Sequence, residues 1–147
     1  MRLLAELKLE LELTLDTHVH ADHITGSGLL RKTTGAKSGV GAKANLASAD
    51  LALTTGQTLT AGAISIEVRE TPGHTEACIT LVARDGAQSY AFTGDTLLIR
   101  GTGRTDFQQG SAAALYQSVH DQIFSLPDDT LIYPGHDYRG NRVSTVA

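Results

Sequence analysis

The sequence of 147 residues contains one cysteine, no tryptophan and no apolar run longer than a few residues. The single thiol, Cys78, excludes a disulfide within the chain and a zinc site built from cysteines. The lack of a long apolar run excludes a membrane-spanning helix. The N-terminus has neither the apolar stretch nor the small-residue cleavage site of a secretory signal. These absences predict a cytoplasmic protein that has no membrane partner.

Neither positive nor negative residues dominate the sequence. Lysine and arginine number 12 against 16 aspartate and glutamate residues, and the basic residues form no block, which argues against a nucleic-acid partner. Hydrophobic residues make up 41% and charged residues 19%, a composition that excludes disorder. A chain of this length predicts a single domain over residues 1–147.

Short apolar runs predict several β-strands. Leucines alternate with polar residues from Leu7 to Leu15, the period-2 pattern of a strand with one buried face, which stops just before a group of histidines. Further strands are predicted at residues 57–59, 64–69, 78–83, 89–93 and 130–133, the last of them being the final strand. Asp85-Gly86 predicts a hairpin turn. The Ala- and Gly-rich stretch 37–53 shows neither the alternation of a strand nor the periodicity of a helix.

Two helices are predicted beside these strands. One falls within residues 24–31 and is followed by Gly35. The other opens at Ser111 as N-cap and carries apolar residues on one face at Leu115, Val119 and Ile123. Many strands with few helices indicate a mixed α/β domain whose sheet layers are covered by helices.

Ionisable residues with metal-binding chemistry are concentrated at the predicted strand ends. His18, His20, Asp22 and His23 lie within six residues, and if buried they would repel and desolvate one another unless a cation compensated. Three more candidates each follow a glycine near a strand: His74, Asp95 and His136. Imidazole and carboxylate groups without thiolates suit zinc, iron, manganese or nickel.

This pattern resembles a known superfamily. His-x-His-x-Asp-His followed by Gly-His, Gly-Asp and a late Gly-His is similar to the ligand pattern of the metallo-β-lactamase fold, an αββα sandwich with its metal site at one edge of two sheets. Segments 17–30, 71–82, 91–110 and 131–146 more narrowly resemble the persulfide dioxygenases of the ethylmalonic encephalopathy protein type. Family members begin earlier, so the chain resembles an N-terminally truncated domain. We therefore expect it either to self-associate as a homo-oligomer or to be a fragment.

The resemblance implies a reaction and roles for residues. One Fe(II) per chain would be held by His18, His74 and Asp95, and the substrates would be glutathione persulfide and dioxygen, giving sulfite and glutathione. Arg104 would organise the substrate end of the site, with Arg100 a weaker candidate, and Tyr138 would line the pocket. The remaining motif residues would orient the ligands or form a second metal site: His20, Asp22, His23 and His136.

Two alternatives remain open. A thioester hydrolase resembling glyoxalase II would bind one zinc through His18, His20 and His74 and a second through Asp22, His23 and His136, with Asp95 as the bridge. The segment Arg104–Gly110 favours the dioxygenase branch over this reading. The other alternative is a metal-binding remnant without turnover.

Overall fold

The computed structural model describes residues 1–22 and 24–147. Its helices are α1 (Arg2–Leu7), α2 (Ser27–Thr34) and α3 (Ala112–Ser118), with a 3-10 turn at Ala42–Ala44 and a π-helical turn at Val119–Ile123 that continues α3. Its strands are β1 (Leu13–Asp16), β2 (Lys37–Gly41), β3 (Leu51–Leu53), β4 (Thr58–Ala61), β5 (Ile64–Glu70), β6 (Ile79–Asp85), β7 (Gln88–Gly94), β8 (Leu131–Pro134) and β9 (Ser144–Thr145).

The strands of this part of the chain form two sheets. The first is parallel, in the order β1-β2-β3, and α2 connects β1 to β2 and packs on both. The second has the order β4-β5-β6-β7-β8-β9 and is antiparallel except for the pair β7–β8. That pair is parallel because α3 carries the chain back across the sheet, as a parallel crossover requires.

The main hydrophobic core lies between the two sheets. Leu53 of the first sheet packs with Val68, Ile79 and Leu81 of the second, and all four are buried. A smaller cluster joins strands β6 and β7 to Leu126, which follows the π-helical turn. With α2 on one outer face and α3 on the other, the layers are α, β, β and α. The expected αββα sandwich is confirmed.

The predicted strand over Leu7–Leu15 is wrong in its first two thirds. Residues up to Leu7 belong to α1, and the strand begins only at Leu13. The reason is the register of the neighbouring strand, since β2 starts at Lys37 opposite Leu13. The Glu12 carbonyl still accepts a hydrogen bond from the Lys37 amide at 2.9 Å, but among the described residues no strand lies opposite residues 7–11, so alternation alone cannot make them a strand.

The other predicted elements lie close to where they were placed. Gly35 ends α2 in the left-handed region, and the Ser111 hydroxyl caps α3 by accepting a hydrogen bond from the Ala114 amide at 3.3 Å. Leu115, Val119 and Ile123 are buried as expected, although the last two lie in the π-helical turn. Residues 130–133 are not the final strand, because β9 follows and pairs with β8. In the described residues, no helix is both long and apolar enough to cross a membrane.

Candidate metal centre

The predicted ligand residues lie at one edge of the sandwich because each follows the end of a strand. His18 and His20 follow β1, His74 follows β5, Asp95 follows β7 and His136 follows β8. Since these strand ends meet at the same edge, residues up to 118 positions apart in sequence are brought together.

Two glycines allow the backbone to approach closely at this edge. Gly94 has a φ of +52°, and a Cβ there would lie 2.5 Å from Thr17 Oγ1. A Cβ on Gly135 would lie 2.6 Å from Asp95 Oδ1. Both positions therefore require glycine, the first for its conformation and for space, the second for space alone.

Three imidazoles face one another at the centre of the site. The ligand nitrogens of His18, His20 and His74 lie within 4.8 Å of one another, so this group could hold a metal ion. The ring centroids are 4.9 to 5.1 Å apart and the ring planes are close to perpendicular. The His20 and His74 Nε2 atoms are 3.1 Å apart.

Asp95 lies against the same group. Its Oδ2 is 4.0 Å from His18 Nε2, 3.7 Å from His74 Nε2 and 3.4 Å from His136 Nε2. Its Oδ1 is buried and, among the described residues, has no hydrogen-bond partner. The structure thus brings together the predicted trio of His18, His74 and Asp95, and places His20 as near to the centre as the trio.

The outer nitrogens of the imidazoles are hydrogen-bonded in ways that suit metal binding. His74 Nδ1 donates to the Arg104 carbonyl at 2.8 Å, and His20 Nδ1 donates to Gln108 Oε1. His18 Nδ1 lies 3.1 Å from Thr17 Oγ1. With the ring protons of His20 and His74 on Nδ1, both Nε2 atoms carry lone pairs, and these two atoms are only 3.1 Å apart. Such a pair repels unless a cation lies between them, so the donor set fits a metal ion.

Burial keeps His18 in its ligand form. Desolvation is the largest effect on this imidazole, and the neighbouring rings of His74, His20 and His136 act in the same direction. The Asp95 carboxylate opposes them, and the net result lowers the His18 pKa to about 4. The ring is therefore neutral at physiological pH, the state in which imidazole binds metals.

A cavity of about 460 Å³ opens onto this centre. Arg104 and Tyr138 both line it, as does Asp22. The Arg104 guanidinium forms a two-point ion pair with Asp106 at 2.7 and 2.9 Å, while its backbone carbonyl holds His74. The exposed Tyr138 ring stacks on His136 with centroids 6.1 Å apart.

A second cleft of about 220 Å³ adjoins the cavity and shares Tyr138 with it. Arg100 and Arg139 line this cleft, and neither guanidinium has an ion-pair partner among the described residues. Asp137 also lines the cleft, and its carboxylate accepts hydrogen bonds from the backbone amides of Arg139 and Asn141. With two arginines and one aspartate, the cleft carries net positive charge beside the metal centre.

Two participants were missed by reasoning from the sequence, and one prediction lies outside the structure. Thr17 precedes His18 directly, but a lone threonine gives no signal of its contact. Gln108 lies 88 residues from His20, and no spacing rule connects the two. His23 lies outside the described residues.

Comparison with known proteins identifies the class. Residues 14–136 match the family model of the metallo-beta-lactamase superfamily, so the chain belongs to that superfamily. Within it, the chain is 54% identical over 145 residues to the human "Persulfide dioxygenase ETHE1, mitochondrial". The alignment covers 99% of this chain and 56% of that protein. The crystal structure of ETHE1 from Myxococcus xanthus aligns with a TM-score of 0.90 at 45% identity, over 99% of this chain and 62% of that one.

The expected resemblance to persulfide dioxygenases is confirmed by these matches. A hydroxyacylglutathione hydrolase from a Polaromonas strain is also similar, at 39% identity over 132 residues, 88% of this chain and 49% of that protein. The chain spans about half the length of the curated relatives it matches.

Proposed function

We propose that this chain has the activity of an Fe(II)-dependent persulfide dioxygenase. The observation that carries the proposal is the 54% identity, along nearly the whole chain, to a protein named persulfide dioxygenase. The reaction is glutathione persulfide plus dioxygen plus water, giving glutathione, sulfite and two protons. The outer sulfur of the persulfide is oxidised to sulfite and dioxygen is reduced.

In this proposal His18, His74 and Asp95 hold one iron per chain. Two histidines and one carboxylate leave coordination positions open, and bound ferrous iron supplies the oxygen activation that side chains cannot. The other residues of the site bind the substrate and orient the metal ligands. His20, Asp22 and His136 lie beside these ligands, and the Asp95–His136 contact at 3.4 Å helps to fix the carboxylate.

The charge of the adjoining cleft supports a substrate that carries carboxylates. Arg100 and Arg139 can each form charge-assisted hydrogen bonds with such a group. Tyr138 borders both cavities and so lies where the substrate would pass from the cleft to the metal centre. Arg104 acts mainly through its backbone, because its guanidinium is engaged by Asp106.

Two further properties belong to the same proposal. We place the protein in the cytoplasm, where its single thiol, Cys78, stays reduced. We also propose that it forms a homo-oligomer, for which the exposed leucines near the N-terminus provide support.

The decisive experiment is anaerobic reconstitution with Fe(II), followed by measurement of oxygen uptake and sulfite release with glutathione persulfide. We expect uptake from the wild-type chain and none from the Asp95→Ala variant. His120→Ala changes an exposed histidine on the α3 side and serves as the matched control. If iron is bound at about one per chain and no oxygen is consumed, the chain is a metal-binding remnant and the proposal fails.

One observation favours a second candidate, a dinuclear zinc thioester hydrolase. His136 Nε2 lies 3.4 Å from Asp95 Oδ2, an arrangement in which the carboxylate could bridge two ions. The similarity to a protein named hydroxyacylglutathione hydrolase agrees with it. Two zinc ions per chain, with hydrolysis of a glutathione thioester and no oxygen uptake, would establish this reaction instead.

A further inference from the structure

Gln108 is hydrogen-bonded to one of the three central imidazoles of the metal centre. Its side-chain Oε1 accepts the hydrogen bond from His20 Nδ1. The equivalent contact of His74 goes to a backbone carbonyl, that of Arg104, which no substitution removes. Gln108 is thus a side chain whose replacement would change the hydrogen bonding of one central imidazole and leave that of His74 in place.

The loop that carries Gln108 is held in an unusual conformation. Gln108 and Gln109 both have positive φ, +46° and +57°, in a region that residues with side chains seldom adopt. The loop is tied to the site at its start by the hydrogen bond from the Gly103 amide to the Asp95 carbonyl, at 2.7 Å. The amide of Gly110 donates to the carbonyl of Phe107 at 2.9 Å. A strained conformation that its surroundings maintain is a feature of functional loops.

We propose that Gln108 is a positioning residue of the metal centre, fixing the proton of His20 on Nδ1 so that Nε2 faces the metal position with its lone pair. This inference rests on the metal centre of the proposed function but not on its reaction. In this inference the tautomer of His20, which lies beside the trio of His18, His74 and Asp95, is set by Gln108.

The alternative tautomer shows why this control matters. The His20 and His74 Nε2 atoms are 3.1 Å apart, a hydrogen-bond distance. If the His20 proton moved to Nε2, His20 would donate directly to His74 Nε2 and occupy the lone pair that a metal needs. Because Gln108 accepts from Nδ1, it holds the proton on the far side of the ring and keeps the two nitrogens available.

The test compares three variants. Gln108→Leu removes the acceptor at similar volume, and Gln108→Glu retains an acceptor. Gln109→Leu makes the same change at the adjacent exposed residue, which also has positive φ and therefore controls for loop strain. Circular dichroism and thermal unfolding establish that each variant is folded.

Two readouts are used, and neither measures turnover. The first is the dissociation constant for Co(II), from competition with a chromophoric chelator. We expect Gln108→Leu to weaken binding by about 10- to 100-fold, the usual effect of losing an outer hydrogen bond at a metal centre, because a His20 proton on Nε2 would donate to the ligand atom of His74. The other two variants should bind like the wild type. The second readout is the tautomer of His20 in the metal-free protein, from long-range proton–nitrogen correlation spectra, in which only Gln108→Leu should lose the Nδ1–H form.

Two results would overturn the inference. One is a folded Gln108→Leu variant with the Co(II) affinity and the His20 tautomer of the wild type. The other is a wild-type chain that binds no Co(II). A chain that binds Co(II) and shows the Gln108 effect but consumes no oxygen with iron would leave this inference standing while the proposed reaction fails.

Discussion

Gly135 lies so close to the Asp95 carboxylate that any side chain there would displace a proposed metal ligand. A Cβ would lie 2.6 Å from Asp95 Oδ1 and 3.1 Å from the Gly94 carbonyl carbon. Asp95 Oδ1 ends a short, buried side chain and the other neighbour is backbone, so the carboxylate or the strand end must move. We expect Gly135→Ala to weaken Co(II) binding at least about tenfold, measured by chelator competition.

The control for this substitution is Gly28→Ala. Gly28 lies in α2 and a Cβ there meets nothing within 4 Å, so the same methyl group is added without contact. It should leave the metal affinity unchanged and raise the free energy of unfolding slightly, by up to about 1 kcal/mol, as glycine-to-alanine changes in helices do. Equal affinity in both variants would contradict the steric argument.

Arg139 is the residue whose loss should change substrate binding without affecting metal binding. Arg139 lines the cleft beside the metal centre. If it binds a substrate carboxylate, Arg139→Ala should raise KM for glutathione persulfide about tenfold or more, with kcat nearly unchanged, because only uniform binding is removed. Arg142→Ala is the control, since Arg142 is exposed nearby but does not line the cleft. A fall in kcat with unchanged KM would show that Arg139 is not a binding residue.

Individual residues of the site could be predicted from the sequence where neighbouring positions marked them. His18 and His20 stand out because they are two positions apart in a cluster of ionisable residues, and His74, Asp95 and His136 because each follows a glycine at a strand end. The structure brings these residues together. Gln108 could not be found this way, because its contact with His20 depends on a loop with two positive φ angles that the residue types do not favour.

Among the elements, strand β5 carries an ion-pair group with a defined pH dependence. Glu67 bonds Arg69 Nε and an Arg84 nitrogen, both at 2.8 Å, and Arg69 also donates to the Gln122 carbonyl at 2.7 Å. Burial disfavours the Glu67 carboxylate, but the hydrogen bonds and charges of the two arginines outweigh it and hold the pKa below its ordinary value of 4.5. The group therefore joins β5 to β6 and to the π-helical turn.

This depressed pKa sets the direction of the pH effect. Ionised Glu67 adds stability fully above the pKa of the unfolded chain, and that stability is lost as the pH falls through the lower folded-state pKa. We expect Glu67→Gln to lower the free energy of unfolding at pH 7 by about 1 kcal/mol, measured by urea denaturation, and the difference from wild type to shrink on acidification below about pH 4.5.

The matched control for Glu67 is Glu6→Gln. Glu6 also pairs with an arginine, Arg2, at 3.3 Å, but both side chains are largely exposed. Solvent screening should make its loss unmeasurable at any pH. A pH-independent difference for Glu67→Gln would show that packing, and not charge, stabilises this junction.

The elements themselves were predictable where a pattern matched an available partner. The apolar run 78–83 became β6 because strands lie on both sides of it, whereas residues 7–11 alternate regularly but face no strand in the described part of the chain. The stretch 37–53 gave no pattern because β2 and β3 are short, and β2 is nearly all buried, so it lacks alternation. Strand β9 has two residues, too few for any periodic signal.

For the whole molecule, the distribution of exposed apolar surface predicts association. Leu3, Leu7 and Leu9 are 64%, 57% and 57% exposed, and they lie in or just after α1, which precedes β1 in the chain. In the described residues β1 pairs only with β2, so its other edge has backbone groups free for a further strand. Exposed apolar side chains and an open strand edge each favour contact between copies of a chain.

We therefore expect the 15.5 kDa chain to elute as a dimer or larger species in size-exclusion chromatography with light scattering at micromolar concentration. The double variant Leu7→Glu/Leu9→Glu should shift it toward the monomer, because charges at an interface lose their hydration. Leu29→Glu is the control, since Leu29 is 71% exposed on α2 and the substitution places a charge on an exposed leucine away from this surface. A wild-type chain that stays monomeric across a hundredfold concentration range would contradict association, and an equal shift with Leu29→Glu would place the contact elsewhere.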